Sequence, residues 1–175
     1  MKVRRTIRQE LDEVMHIYGN ASAFMRESGN PNQWRDGYPP RALVEADVEH
    51  GASYVILEGG RIEGVFSFLT GEDATYRKIW DGAFRTDGPY GTIHRLASAG
   101  TRRGVADACF AWCGEEANRQ HCVSLRADTH RDNRKMQRLL EAHGFVYCGV
   151  IYVADKTPRL AYERLQADAR KLLGL

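Results

Sequence analysis

The run from Leu125 to Val153, "LRADTHRDNRKMQRLLEAHGFVYCGVIYV", constrains the fold more than any other stretch. Leu125, Ala127 and Thr129 alternate with Arg126 and Asp128, the period of a strand with two unlike faces. The alternation breaks at His130-Arg131-Asp132-Asn133, where Asp or Asn can cap a helix start. Met136, Leu139, Leu140 and His143 then recur at helical spacing, and Gly144 supplies a helix-ending glycine. A second strand follows at once. Strand, turn, short helix and strand in that order call for an architecture that mixes sheet and helix. The "HRD" triplet inside the run does not mark a kinase catalytic loop, because the Asn required five residues after the Asp is replaced by Gln137.

The rest of the chain supplies compatible elements. "KVRRTI" reads as a first strand. Leu11, Val14, Met15, Tyr18, Ala21, Phe24 and Met25 trace one helical face between Gln9 and Glu27. "SGNPNQWRDGYPP" is a turn-rich loop, and "RALVEADVEHG" a second short helix closed by Gly51. "SYVILEGGRIEGVFSFLTG" is two strands around a Gly-Gly turn, a strong hairpin signal. "DATYRKIWDGAFRTDGPY" is polar and aromatic, with room for a short helix. "GTIHRLAS" (91–98) is a strand, and Ala106, Cys109, Phe110, Cys113 and Ala117 repeat at helical spacing. After the opening run come a strand at "RLAYERL" and a tail helix. Clustered hairpin strands with interspersed helices indicate an α+β or mixed α/β fold with a largely antiparallel sheet.

Composition narrows the function. A chain of 175 residues, 43% hydrophobic and 27% charged, fits one globular domain spanning 1–175. The net charge of +2 gives no reason to expect a nucleic-acid or membrane partner. No apolar run reaches the length of a spanning helix, and the N-terminus lacks the pattern of a signal peptide. The cytoplasm is the default expectation. Cys109, Cys113, Cys122 and Cys148 form no zinc-type spacing and read as buried reduced thiols; no metal is expected.

The most informative junction is "AGTRRGVADAC", between strand 91–98 and the next helix. Small residues at 99, 100, 104, 106 and 108 surround Arg102 and Arg103. A helix N-terminus offers unpaired N–H groups and a positive dipole end, and small residues let a phosphate approach them. The turn is neither a P-loop nor a dinucleotide fingerprint, since both patterns lack their required residues here. A loop that merely needs flexible residues is the competing reading.

With these motifs in place, the chain resembles the GNAT superfamily of acyl-CoA N-acyltransferases. That family's Gln/Arg-x-x-Gly-x-Gly/Ala turn matches best from Arg103 through Gly104, Val105, Ala106, Asp107 and Ala108. Its later Asn and Gly-Phe fall on Asn133 and Gly144-Phe145. The resemblance implies a twisted, mostly antiparallel sheet of about six to seven strands, flanked by about four helices. It implies acetyl-CoA as co-substrate. Amides of residues 103–108 would hold the pyrophosphate, and the backbone of Leu96, Ala97 and Ser98 would bind the pantetheine arm and polarise the thioester. Asn133 would touch the coenzyme or simply cap its helix. Two departures stand out. Ala106 replaces the usual Gly, and Leu140 occupies the position of the Tyr that protonates the departing thiolate, leaving Tyr147 and Tyr152 as substitutes to consider.

On a regular strand His94 shares a face with Thr92 and Leu96. In arylalkylamine acetyltransferases, a His at the equivalent offset lines the amine site, so the resemblance implies that His94 assists deprotonation of the acceptor. A group titrating near neutrality suits that task. His130 is a second candidate, expected on a solvent-facing loop. Trp34, Tyr38, Tyr76, Trp80 and Tyr90 lie in loops, where they could wall a small-molecule amine site or serve as satellite core. The expected activity is N-acetylation of a small or amino-acid-like amine. The alternatives are a protein N-acetyltransferase and a catalytically silent acyl-CoA-binding module. A homodimer is compatible with the sequence.

Overall fold

Two consecutive glycines set the first hairpin. In the computed structural model, which describes residues 1–35 and 37–167, Gly59 and Gly60 take φ of 55° and 80°, as a two-residue type I′ turn requires. They join β2 (Ser53–Glu58) to β3 (Arg61–Thr70), and β1 (Lys2–Arg5) pairs antiparallel with β2. The later strands are β4 (Tyr90–Ser98), β5 (Ser124–Thr129), β6 (Val146–Tyr152) and β7 (Pro158–Leu165). The seven strands are ordered β1-β2-β3-β4-β5-β7-β6. β7 runs antiparallel to both β5 and β6, whereas β4 and β5 are parallel. Parallel neighbours need a crossover, and α3 (Val105–Arg119) lies in the connection. The other helices are α1 (Leu11–Glu27), α2 (Arg41–Glu49) and α4 (Arg134–Ala142). The fold is thus the mixed α/β, mostly antiparallel arrangement expected from the sequence. The expected tail helix falls beyond Ala167, outside the described residues.

The chain divides into two compact units. The first comprises Met1–Phe68 and His94–Trp112. In it, Leu11, Val14, Ile17, Tyr18 and Ser22 form the buried face of α1, and the first four pack with Trp34, Val44, Val55 and Val65. Each large apolar side chain buried here contributes about 1.5–3 kcal/mol before entropy is counted. Trp112 adds ring contacts to Tyr54, Phe66 and Phe68 at centroid distances of 4.4, 5.7 and 5.9 Å. β3 carries Gly64 where the start of α3 comes close: a Cβ there would lie 2.4 Å from Val105 Cγ1.

The second unit comprises Leu69–Ile93 and the chain from Cys113 onward. Here β5 has the two unlike faces read from its sequence. Its alternate face is polar but not solvated, because Arg126 and Glu163 are both buried. Arg126 Nε donates to Glu163 Oε1 at 3.0 Å and Nη2 to the Thr86 carbonyl at 2.7 Å. The guanidinium also lies 3.8 Å from the centroids of both Phe84 and Tyr90. Ser124 donates to the same Glu163 oxygen at 2.8 Å. A buried charge survives only with such saturation.

The polar-aromatic segment before β4 contains a single 3-10 turn, Ala74–Tyr76, capped by Asp73, rather than a longer helix. Its residues are committed to long-range contacts instead. Tyr76 donates to Asp128 Oδ1 at 2.7 Å, and burial, reinforced by that carboxylate, pushes the phenol well above its ordinary pKa. Trp80 exchanges two 2.8 Å backbone bonds with Val150. All four cysteines are buried, and among the described residues none forms a disulfide. Burial, with a contribution from nearby Glu163, pushes the Cys148 thiol up to about 11, so it is protonated and unreactive at neutral pH.

Candidate active site

The candidate coenzyme site begins where the sheet stops pairing regularly. The β4–β5 ladder runs from Tyr90↔Ser124 to Ile93↔Ala127. Among the described residues, the ladder does not extend to Arg95–Ser98, so backbone groups on that edge of β4 are left out of it. Arg95 then adopts φ of 54° in mid-strand. The left-handed conformation interrupts the two-residue alternation, and the inferred common face of Thr92, His94 and Leu96 is therefore not supported. His94 and Leu96 are half-buried, Ala97 buried and Ser98 exposed.

Beyond Ser98 the turn is clamped from below. The β2–β3 register shifts between Ile56↔Gly64 and Leu57↔Ile62, leaving Glu63 as an extra residue in β3. The Glu63 carbonyl accepts the Ala99 amide at 2.9 Å, and its buried carboxylate accepts the Thr101 hydroxyl. Ser98 Oγ accepts the Gly100 amide at 3.1 Å. Gly100 and Gly104 take φ of 83° and 85°. α3 then starts, and the Ala108 amide donates to the Gly104 carbonyl at 3.0 Å.

That bond corrects one sequence expectation. Ala108 is inside the helix ladder and its amide is not on offer, whereas Gly104, Val105, Ala106 and Asp107 occupy the positions without intrahelical acceptors. Arg102 and Arg103 are exposed before them, and Val105 is buried against Gly64. Asp107 adds the opposite charge: its Oδ2 lies 3.6 Å from where a Gly104 Cβ would stand. The turn therefore fits an anion through its amides and arginines, with Asp107 opposing them.

A cleft of about 210 Å³ lies elsewhere in this unit. One face of α1 forms its wall through Met15, Tyr18, Gly19, Ser22 and Arg26, and residues 37–39 complete it. Tyr38 accepts from Arg95 Nη1 at 3.4 Å, and Arg95 Nη2 is ion-paired with Asp47. Burial pushes the Tyr18 phenol above its ordinary pKa, against the lowering influence of Arg95. Trp34 is core rather than an open aromatic wall, with its ring 5.6 Å from Tyr18 and 6.2 Å from Tyr38.

The remaining sequence candidates belong to the second unit. Asn133 is a helix cap: its Oδ1 accepts the Met136 amide at 3.1 Å. Asn133→Ala is expected to cost about 1 kcal/mol of stability, measured by urea denaturation. His130 is not on a solvent-facing loop but buried at the strand-to-helix turn. Its Nδ1 accepts the Asp132 amide at 3.2 Å, and Gln137 donates to its carbonyl at 3.3 Å. Tyr90 packs on Arg126 and accepts the Asp73 amide at 3.0 Å. Trp80 is partly exposed, with Tyr152 edge-on at 4.9 Å. Leu140 is buried, while Tyr147 and Tyr152 are exposed on β6. Among the described residues no His, Cys, Asp and Glu cluster could hold a metal ion, and no helix is long and apolar enough to cross a membrane.

Sequence reasoning missed Glu63, Arg95 and Asp47. The available signal for the first two was a charged residue inside a strand run, in "IEGVF" and "IHRLA"; Asp47, on α2, offered none.

No protein-family model and no curated protein matches this chain. Solved structures do. A GNAT-family acetyltransferase from Streptococcus agalactiae 2603 is similar with a TM-score of 0.82 and 28% identity, covering 94% of this chain and 95% of that one. A GNAT-family acetyltransferase from Listeria monocytogenes 4b F2365 has a TM-score of 0.70 at 16% identity over 94% of each chain. A ribosomal-protein-alanine N-acetyltransferase from Brucella melitensis gives 0.62 at 17%, covering 94% and 99%. The last two likenesses concern the fold alone. The fold and the first of these structures support an acyltransferase. More narrowly, they support assignment of the chain to the GNAT superfamily.

Proposed function

We propose that the protein is a single-domain, acetyl-CoA-dependent N-acetyltransferase acting on a small amine. The observation that carries this reading is the edge of β4 at 95–98, beyond the end of its pairing with β5, followed by the clamped turn into α3. Its backbone groups suit the polar pantetheine arm, and the amides of residues 104–107 suit the pyrophosphate. An N–H directed at the thioester oxygen would stabilise the charge that develops as the amine attacks. The amine nitrogen bonds to the acetyl carbon, the carbon–sulfur bond breaks, and coenzyme A leaves as a thiolate. His94 takes the proton that the attacking nitrogen loses, directly or through a water. The buried Leu140 cannot protonate the thiolate, so water is assigned that task.

Thiol release from acetyl-CoA, measured across an amine panel, tests the function. Amine-dependent release supports it, whereas acetyl-CoA binding without release would favour the silent binding module that Leu140 suggests. Arg103→Glu is expected to weaken acetyl-CoA binding well beyond Arg134→Glu, which changes an exposed arginine on α4. Equal effects by calorimetry would move the phosphate site away from this turn.

A further inference from the structure

Resting on the acetyl-transfer reading, we propose that the cleft beside α1 binds the carboxylate of an amino-acid-like acceptor, held by the Tyr38 hydroxyl and the Arg26 guanidinium. The cleft, at about 210 Å³, is of a size for a small polar group with a few carbons. Its polar groups are mostly donors. Arg95 Nη1 donates to the Tyr38 oxygen at 3.4 Å. An arginine accepts nothing, so the phenol's own proton must point elsewhere, and no acceptor for it is found among the described residues.

Arg26 repeats the pattern. It donates to Ser22 Oγ at 2.9 Å, which leaves the Ser22 proton to be donated in turn. Among the described residues, no carboxylate lies within ion-pair distance of Arg26. Arg95 differs, since Asp47 already neutralises it. Arg95 Nε is nevertheless buried without a hydrogen-bond partner, a further donor in the same cluster. Among the described residues that line the cleft, none is acidic.

A site whose described residues offer surplus donors, one cation without a carboxylate partner and no acid complements a group that only accepts. An ionised carboxylate is that group. A cationic group placed here would instead meet the like charge of Arg26. The space beside Gly19 on α1 is open, since a Cβ there would meet nothing within 4 Å.

The test pairs amino acids with their primary amides, comparing binding by calorimetry and rates by thiol release on the full chain. The acids are expected to bind roughly tenfold or more tightly than the amides, the worth of a charged hydrogen bond. Tyr38→Phe, which keeps the ring beside Trp34, and Arg26→Gln should each remove roughly tenfold of the acids' affinity. Both should weaken amide binding much less than acid binding, since a neutral carbonyl makes the weaker hydrogen bond, and should leave the melting temperature nearly unchanged. Acids and amides that bind alike, no binding of any acid, or variants that weaken both series equally would overturn the proposal. Tight acid binding without thiol release would uphold the cleft and reject acetyl transfer. Release that runs equally well with amides and acids, together with equal binding, would do the reverse.

Discussion

Glu163→Leu should destabilise the protein by about 3–5 kcal/mol, because it leaves the Arg126 guanidinium buried without its carboxylate. Glu163 is fully buried and Arg126 nearly so, and the same carboxylate also receives Ser124. The Thr86 carbonyl and the two flanking rings remain after the substitution, but none of them carries a countercharge. A double variant, Arg126→Met with Glu163→Leu, should recover much of the loss, since removing both charges also removes their desolvation cost. Urea denaturation of the wild type, both single variants and the double variant gives the coupling energy directly. A loss under about 1 kcal/mol in Glu163→Leu would mean that Arg126 reaches water in solution.

His94→Ala should lower acetyl transfer by about 10²–10⁴-fold, the usual cost of losing a general base, while acetyl-CoA binding stays nearly intact. The rate should recover in part at high pH, where the free amine is abundant and no base is needed. A residue that only packs would lose stability with little change in turnover per folded molecule. One that only orients the acceptor would raise its Michaelis constant without recovery at high pH. The pH–rate profiles of wild type and variant separate the three, and superimposable profiles would remove His94 from the mechanism.

Much of the framework was legible because it rests on local periodicity and turn chemistry. The Gly59-Gly60 hairpin, part of the apolar face of α1 and the strand–helix–strand run ending in β6 follow from spacing, although on α1 the expected Phe24 is exposed and Ile17, outside the expected set, is buried. The place of the turn before α3 was legible for the same reason, because small residues precede a helical repeat, whereas its use as a phosphate site came from the family resemblance. What spacing could not show was whether a charge is solvated or paired. Arg126 alternates along β5 as an exposed residue would, yet its partner Glu163 is 37 residues away in the chain. Trp34 looked like a loop aromatic because the contact that buries it, with Tyr18, crosses from loop to helix. The irregularities at Glu63 and Arg95 were hidden because a bulge is imposed by neighbouring chain, and a period-two reading assumes that none exists.

The conformation of Arg95 bears on how this protein can change. At φ of 54° the backbone would be more comfortable with Gly, so relief of strain alone favours replacing the arginine. That same replacement would strand Asp47, whose side chain is only 13% exposed, as an uncompensated carboxylate. Changing Asp47 first leaves the arginine's charge equally unmet. Each single step is a loss, and the gain requires both at once. Stepwise mutation should therefore find positions 47 and 95 frozen, whereas a library that varies the two codons together could cross the barrier and open a differently charged cleft.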